Sequence, residues 1–530
     1  MTASAPPLLP APRRSRYDAW RRRVLDDATL LGRWEWLTPV LVTMLAAVLR
    51  LWNLGHPHTL VFDETYYVKD AWSQWMLGFA STWPDGADER FAAGETDIFT
   101  GEGSFVVHPP LGKYLIGLGM WLFGPESSFG WRISAALAGT ACVLVLYLLA
   151  RTLTGSFVFA GVAAGLLAID GLGIVMSRVS LLDIFLTLFT LLAVWFAVRD
   201  RQSYFPRLRE RADATAARAA LSPDRGPVLW ARPWVVAAGV AAGAACAVKW
   251  SGVWVLAAIG LWLVITDALE RRRLGLPWWA LDAVRQGVVA FILLVPVALA
   301  VYLASWAGWF ATDGGYQRHA VEADTASGVF GWLPLSLQSL WRYHETIYNS
   351  MAQMSTAHSY MSPAWQWPLL VRPTSMYAAS TADGQNGCAS ASGCLDILYS
   401  MPNPIVWWAS IVALIWLVYR FALHRDWRHA LVLVAVAATW LPWLAFPERT
   451  VFQFYTVVMY PFLLLGLVFA LREIAGAPTQ SRERRQSGQR VVLVFLGVAV
   501  VLAVFWYPLW SAIQIPYEFY RLHNWLPGWV

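Results

Sequence analysis

Apolar residues along this chain do not alternate with polar ones; they run on in blocks, separated by short segments rich in Arg, Pro and Gly. A helix needs about 17–25 mostly apolar residues to cross the hydrocarbon core of a bilayer. Runs of that length fall near 37–54, 131–150, 156–176, 180–198, 233–249, 251–268, 286–305, 404–420, 430–446, 452–471 and 491–510. They predict an all-α polytopic membrane protein with about 11 transmembrane helices. The stretch 111–124, LGKYLIGLGMWLFG, is apolar but short, and its Leu111, Tyr114, Leu115, Leu118 and Leu122 share one helical stripe. It predicts a helix lying in the interface rather than a crossing.

Composition agrees with this pattern: 58% of residues are hydrophobic, 14% are charged and the mean hydropathy is +0.47, which excludes a water-soluble globule. The 33 Trp suit aromatic belts at two interfaces, or packing. A net charge of +6 does not indicate nucleic acid, because the Arg residues are dispersed between apolar runs. They read instead as topology signals. With the N-terminus inside, about two-thirds of the Lys and Arg fall on inner segments. The resulting organisation is a cytoplasmic basic tail 1–36, a membrane domain 37–510 with large extracytoplasmic loops 55–130 and 306–403 that carry interfacial helices, and an extracytoplasmic tail 511–530. The first 23 residues lack an apolar core before their charges, so the first span is read as the insertion signal. Segments 206–227 and 475–490 read as mobile inner connections. Cys142 and Cys246 sit within apolar runs, whereas Cys388 and Cys394 share the second outer loop and form the disulfide candidate.

Polar groups at the edge of apolar segments are the candidates for chemistry, because they are costly there. Asp63 and Glu64 stand together in VFDETYYVKD, among aromatic side chains that argue against two freely solvated loop acids. His108 and Lys113 follow in HPPLGK, where a Pro-marked helix start with a snorkelling Lys is the plainer reading. Arg178 and Asp183 in SRVSLLD suit a tethering ion pair as well as substrate contact. Lys249 in VKWSG either anchors a turn or faces an anion, and Glu448–Arg449 in FPERTVFQFY either tightens a turn or offers a guanidinium to phosphate. One carboxylate with several cations at one depth suits transfer of a sugar from a lipid phosphate to a hydroxyl. The leaving phosphate is a weak base that needs no general acid, so a single general base suffices for inverting displacement.

Taken in order, these motifs resemble the protein O-mannosyltransferase family, GT-C type membrane glycosyltransferases, and less closely the lipid-A aminoarabinose transferases. The resemblance implies Asp63 and Glu64 as the catalytic acid pair with Asp63 as base. It gives Arg132 and Arg449 as donor-phosphate or structural contacts, with Lys249, Arg178, His108, Lys113 and Asp183 as further substrate-binding candidates. It implies transfer of mannose from a polyprenyl-phosphate-mannose lipid to Ser/Thr hydroxyls of secreted or membrane proteins, on the outer face of the plasma membrane. The partners are then the donor lipid, the acceptor proteins, the bilayer and the protein-translocation machinery, with no nucleic acid. Segment 306–403 is too short and too poor in strand pattern for the β-trefoil domain of eukaryotic members. A glycolipid or cell-wall acceptor is the alternative within the fold, and a lipid or solute transporter the alternative outside it. His56, His58 and His108 share the first outer loop with the acids but lack compact ligand spacing, so no metal or other cofactor is assigned and a divalent cation stays open.

Overall fold

The computed structural model describes residues 28–219, 225–323 and 331–529, so most of the basic tail lies outside the described residues. Helix α1 (Ala28–Leu51) leads into a segment carrying α2 (Glu64–Leu77), α3 (Ala87–Ala92) and α4 (Leu111–Phe123). Then come α5 (Ser128–Thr154), α6 (Phe157–Ala168), the short α7 (Gly171–Val175), α8 (Asp183–Ala219), α9 (Pro233–Val248), α10 (Gly252–Arg273) and α11 (Trp279–Ser305). The second long segment holds α12 (Ala307–Ala311), α13 (Leu335–Ala352) and strands β1 (Thr374–Thr381) and β2 (Cys394–Ser400). Helices α14 (Pro404–His424), α15 (Trp427–Leu444), α16 (Tyr460–Ala475) and α17 (Arg482–Ser511) complete the bundle, followed by β3 (Ile515–Pro516) and α18 (Tyr517–Arg521).

Among the described residues, seven helices are long and apolar enough to cross a membrane: α1, α5, α10, α11, α14, α15 and α17. The other predicted crossings coincide with helices of different form. Helices α6, α9 and α16 have only 12, 16 and 16 residues, about 18–24 Å of rise against a hydrocarbon core of about 30 Å. Helix α8 runs on for 37 residues, from an apolar first half into the Arg-rich stretch. Residues 206–219 and 482–490, read above as mobile, are therefore helical. The run 156–176 breaks at Asp170, whose carboxylate caps α7 through Leu172 N and also accepts from Asn403 N and the Tyr460 hydroxyl. That buried acid ties α7 to the starts of α14 and α16.

The core is organised by α5, largely buried and packed on α1, α4, α6 and α8. Helix α9 is pressed between α8 and α11 because it is built from Ala and Gly. A Cβ on Gly243 would stand 2.5 Å from the Ala298 carbonyl oxygen, and one on Gly239 would stand 2.7 Å from that of Leu294. Only a missing side chain permits this backbone approach. Part of the tryptophan content is packing: Trp131, Trp407, Trp506 and Trp510 are fully buried, whereas Trp36, Trp332 and Trp341 are widely exposed.

One element is absent from the sequence expectation. The 306–403 segment does hold strands: β1 and β2 pair antiparallel from Thr374↔Ser400 to Thr381↔Cys394, and β3 adds to β2 at Leu395↔Ile515. The mostly helical fold thus carries a three-stranded sheet. The Cys388–Cys394 disulfide forms, closing the β1–β2 connection, with Cα atoms 5.7 Å apart. The chain after 511 is no free tail either, since it supplies β3 and the buried Trp529 to this segment. Replacing Gly243 by Leu is expected to lower stability by about 1–3 kcal/mol or more through overpacking, read as a lower melting temperature of the detergent-purified protein. An unchanged value would mean that α9 and α11 are not in close contact.

Candidate active site

Asp63 is the N-cap residue of α2, where an Asp side chain ordinarily accepts from the helix's free N–H groups. Here it does not. The backbone oxygen of Asp63 accepts from Tyr66 N and Tyr67 N, both at 3.0 Å, while its carboxylate makes no capping bond. The preceding Phe62 has φ of 49°, a left-handed conformation uncommon for a bulky residue. Its ring is held edge-on by His358, Phe452 and Phe454 at centroid distances of 5.8, 5.4 and 5.6 Å. This aromatic clamp fixes the turn that presents Asp63. Burial pushes the Asp63 carboxyl up to about 6, with Lys249 opposing the rise and Asp183 adding to it.

The neighbouring acid has a different situation. Glu64 is fully buried, and its two oxygens accept from Arg132 Nε and Nη2, each at 2.8 Å, and from Val61 N and Ser180 N. The other Arg132 donors go to the carbonyl oxygens of Leu54, Pro57 and Thr59. Both groups are saturated, so neither Glu64 as a proton acceptor nor Arg132 as a phosphate ligand fits this geometry. They form a buried brace. Arg178 is likewise committed, donating to the carbonyls of Arg50, Trp52 and Asn53 at the end of α1 rather than pairing with Asp183.

Asp183 instead holds Lys249, whose Nζ lies 2.9 Å from both carboxylate oxygens and 4.3 Å from the centre of the Tyr455 ring. Lys113 does not snorkel; it is buried against Asp70 at 3.2 Å. His108 is half-buried beside Tyr67, with centroids 6.0 Å apart. Burial and the charges of Lys249, Lys113 and Arg449 hold its pKa well below the usual imidazole range, so it is neutral at pH 7. Arg449 makes no ion pair with Glu448 among the described residues. Its Nη2 reaches Met351 Sδ at 3.3 Å, its guanidinium lies 5.5 Å from the Trp443 ring, and Nε has no partner. It borders a cavity of about 580 Å3 whose other walls are almost wholly apolar, including Trp250, Trp254, Val295 and Leu299. An elongated apolar chain with an anionic end suits such a space. Tyr455 feels the charges of Asp183, Asp63 and Arg449, which places these groups in one electrostatic cluster.

Models of two family regions match the chain: "Dolichyl-phosphate-mannose-protein mannosyltransferase" over residues 107–206, and "C-terminal four TMM region of protein-O-mannosyltransferase" over 336–529. A polyprenol-phosphate-mannose–protein mannosyltransferase of Mycobacterium tuberculosis (strain ATCC 25618 / H37Rv) is 34% identical over 505 residues, covering 93% of this chain and 92% of that one. The chain belongs to the protein O-mannosyltransferase family. A relative of the same name in Corynebacterium glutamicum is 30% identical, with 94% of each chain covered. The fold of this family member is similar to that of the S. cerevisiae Pmt1–Pmt2 complex bound to the sugar donor, with a TM-score of 0.68, 16% identity, and coverage of 97% of this chain and 94% of that one. The enzyme is a multi-pass membrane glycosyltransferase.

Several residues of the cluster escaped sequence reasoning. Tyr67 and Tyr455 lie within the quoted motifs but carry no signal that sets them apart from the other aromatics, and His358 stands in a polar stretch with no periodicity. Asp70 lies seven residues after Asp63, at the i+7 spacing that returns to the same helix face. Among the described residues, no group of three or more His, Cys, Asp or Glu is arranged to hold a metal ion. Substituting Glu64 by Gln or Arg132 by Met is expected to cost about 3–5 kcal/mol of stability, as when one partner of a buried ion pair is removed. Thermal unfolding checks this, and a wild-type melting curve for both variants would contradict the brace.

Proposed function

We propose that this chain transfers mannose from polyprenyl-phosphate-linked mannose to Ser or Thr hydroxyls of proteins on the outer face of the plasma membrane, with inversion at the sugar. The observation that carries the reading is the Asp63 carboxylate: it sits at a helix N-cap yet makes no capping bond, and it is grouped with Lys249, Asp183 and Arg449. The names of the relatives that match over nine-tenths of the chain support the donor and the acceptor class.

The acceptor hydroxyl loses its proton to Asp63 as its oxygen forms a bond to the sugar's anomeric carbon, on the face opposite the phosphate. The bond from that carbon to the phosphate oxygen breaks, and its electron pair leaves on the polyprenyl phosphate. Arg449, whose guanidinium has no carboxylate partner among the described residues, meets the phosphate at the rim of the apolar cavity that takes the lipid chain. Neutral His108 donates or accepts a hydrogen bond near the sugar. Lys249 and Asp183 set the charge felt by Asp63, and Glu64 with Arg132 positions the turn. Burial raises the proton affinity of Asp63, which makes it a stronger base than an exposed carboxylate while it stays ionised at pH 7.

Asp63→Asn is expected to reduce mannose transfer to a Ser/Thr peptide by about 10²–10⁴-fold while leaving the melting temperature unchanged. Wild-type turnover by the folded variant would remove Asp63 from the role of base. Because the ionised form is the active one, turnover is expected to fall as pH drops through about 6; a profile flat down to pH near 4 would mean that no such group titrates. Arg449→Ala is expected to raise the KM for the donor lipid more than it lowers kcat, measured with donor varied at saturating peptide.

A further inference from the structure

At the other end of the bundle lies a second, polar cavity. Helix α5 begins beside the Asp63 cluster at Arg132 and ends at Thr154, a rise of about 33 Å, and Thr154 lines this second space of about 660 Å3. Its walls include Arg420 from the end of α14, Asp426, Arg428 and His429 from the start of α15, and Arg472 and Glu473 near the end of α16.

The polar groups here are only partly engaged. Arg420 gives Nη1 to Glu473 at 3.2 Å, and Arg428 gives Nη1 to Asp426 at 3.4 Å. Arg472 donates to the Thr154 carbonyl oxygen at 2.7 Å. Among the described residues, the buried Nε atoms of Arg420 and Arg428 have no partner. His429 is only 9% exposed, and its Nδ1 is also unpartnered. Three guanidinium groups line the cavity with two carboxylates, so the wall is net positive even with His429 neutral. Buried donors left unpaired cost free energy that a bound acceptor recovers, and planar guanidinium donors match the paired oxygens of a phosphate group.

We propose that this cavity is a binding site for a phosphate group, far from the transfer chemistry and independent of it. The phosphate has two sources, the headgroup of an anionic phospholipid or a free anion in solution. Thermal unfolding of delipidated enzyme distinguishes them, with phosphatidylglycerol micelles, phosphatidylcholine micelles and inorganic phosphate as the three probes. Stabilisation by phosphatidylglycerol alone identifies a lipid site, and stabilisation by inorganic phosphate as well identifies an open phosphate site. The double variant Arg428→Gln/His429→Gln is expected to weaken the apparent affinity for the effective probe about tenfold or more while retaining wild-type mannose transfer. Arg273→Gln, which removes a charge on an exposed helix end, is expected to leave that affinity unchanged. The proposal is overturned if neither anionic probe stabilises the wild-type enzyme beyond phosphatidylcholine, or if the stabilisation survives intact in a folded double variant.

Discussion

The buried pair of Glu64 and Arg132 is the constraint on which the site depends. Two charges taken from water are tolerated only when every donor and acceptor is matched, and here nearly all are. One carboxylate holds the guanidinium and two backbone N–H groups, while the guanidinium holds three carbonyls of the loop before it. That network joins the start of α2, the loop 54–61, the top of α5 and the turn before α8. Because Glu64 is spent on the framework, its neighbour Asp63 is left at a fixed position with its own carboxylate unused. On the proposed function, two adjacent acids divide between structure and chemistry.

The cations follow the same division. Arg132 and Arg178 satisfy loop and helix-end carbonyls, Lys113 and Lys249 are each held by an Asp, and Arg449 has neither kind of commitment. A guanidinium leaning on Trp443 and Met351 at the rim of an apolar cavity is oriented by packing, so its donors stay directed without being consumed. A lipid phosphate needs such an arrangement: an apolar wall for the chain and one charged group where the chain ends. The apolar surroundings also strengthen each charge interaction near Asp63.

Much of this was legible in the sequence. The apolar runs located the bundle helices, the short amphipathic 111–124 run located α4, and the quoted motifs contain Asp63, Asp183, Lys249 and Arg449, which lie within electrostatic reach of Tyr455. Pairing was not legible, because partners are chosen by three-dimensional proximity. Asp183 is five residues from Arg178 yet binds Lys249, 66 residues away. Crossing lengths were misjudged where hydropathy continues through a break, as at Asp170, whose partners Asn403 and Tyr460 lie more than 200 residues on. The small sheet was missed because its central strand β2 is buried on both faces, and CLDILYS shows no clean alternation. The long extension of α8 was missed because Arg-rich composition reads as linker although Arg is a good helix former.

The central claim is that the Asp63 carboxylate, held free by the Glu64–Arg132 brace, receives the acceptor's proton. A structure of the enzyme with donor lipid and a Ser/Thr peptide tests it most directly. The account predicts the acceptor hydroxyl within about 2.6–3.2 Å of an Asp63 oxygen, with Glu64 still bound to Arg132. An acceptor hydroxyl resting on another side chain, with Asp63 turned away or capping α2, would contradict it.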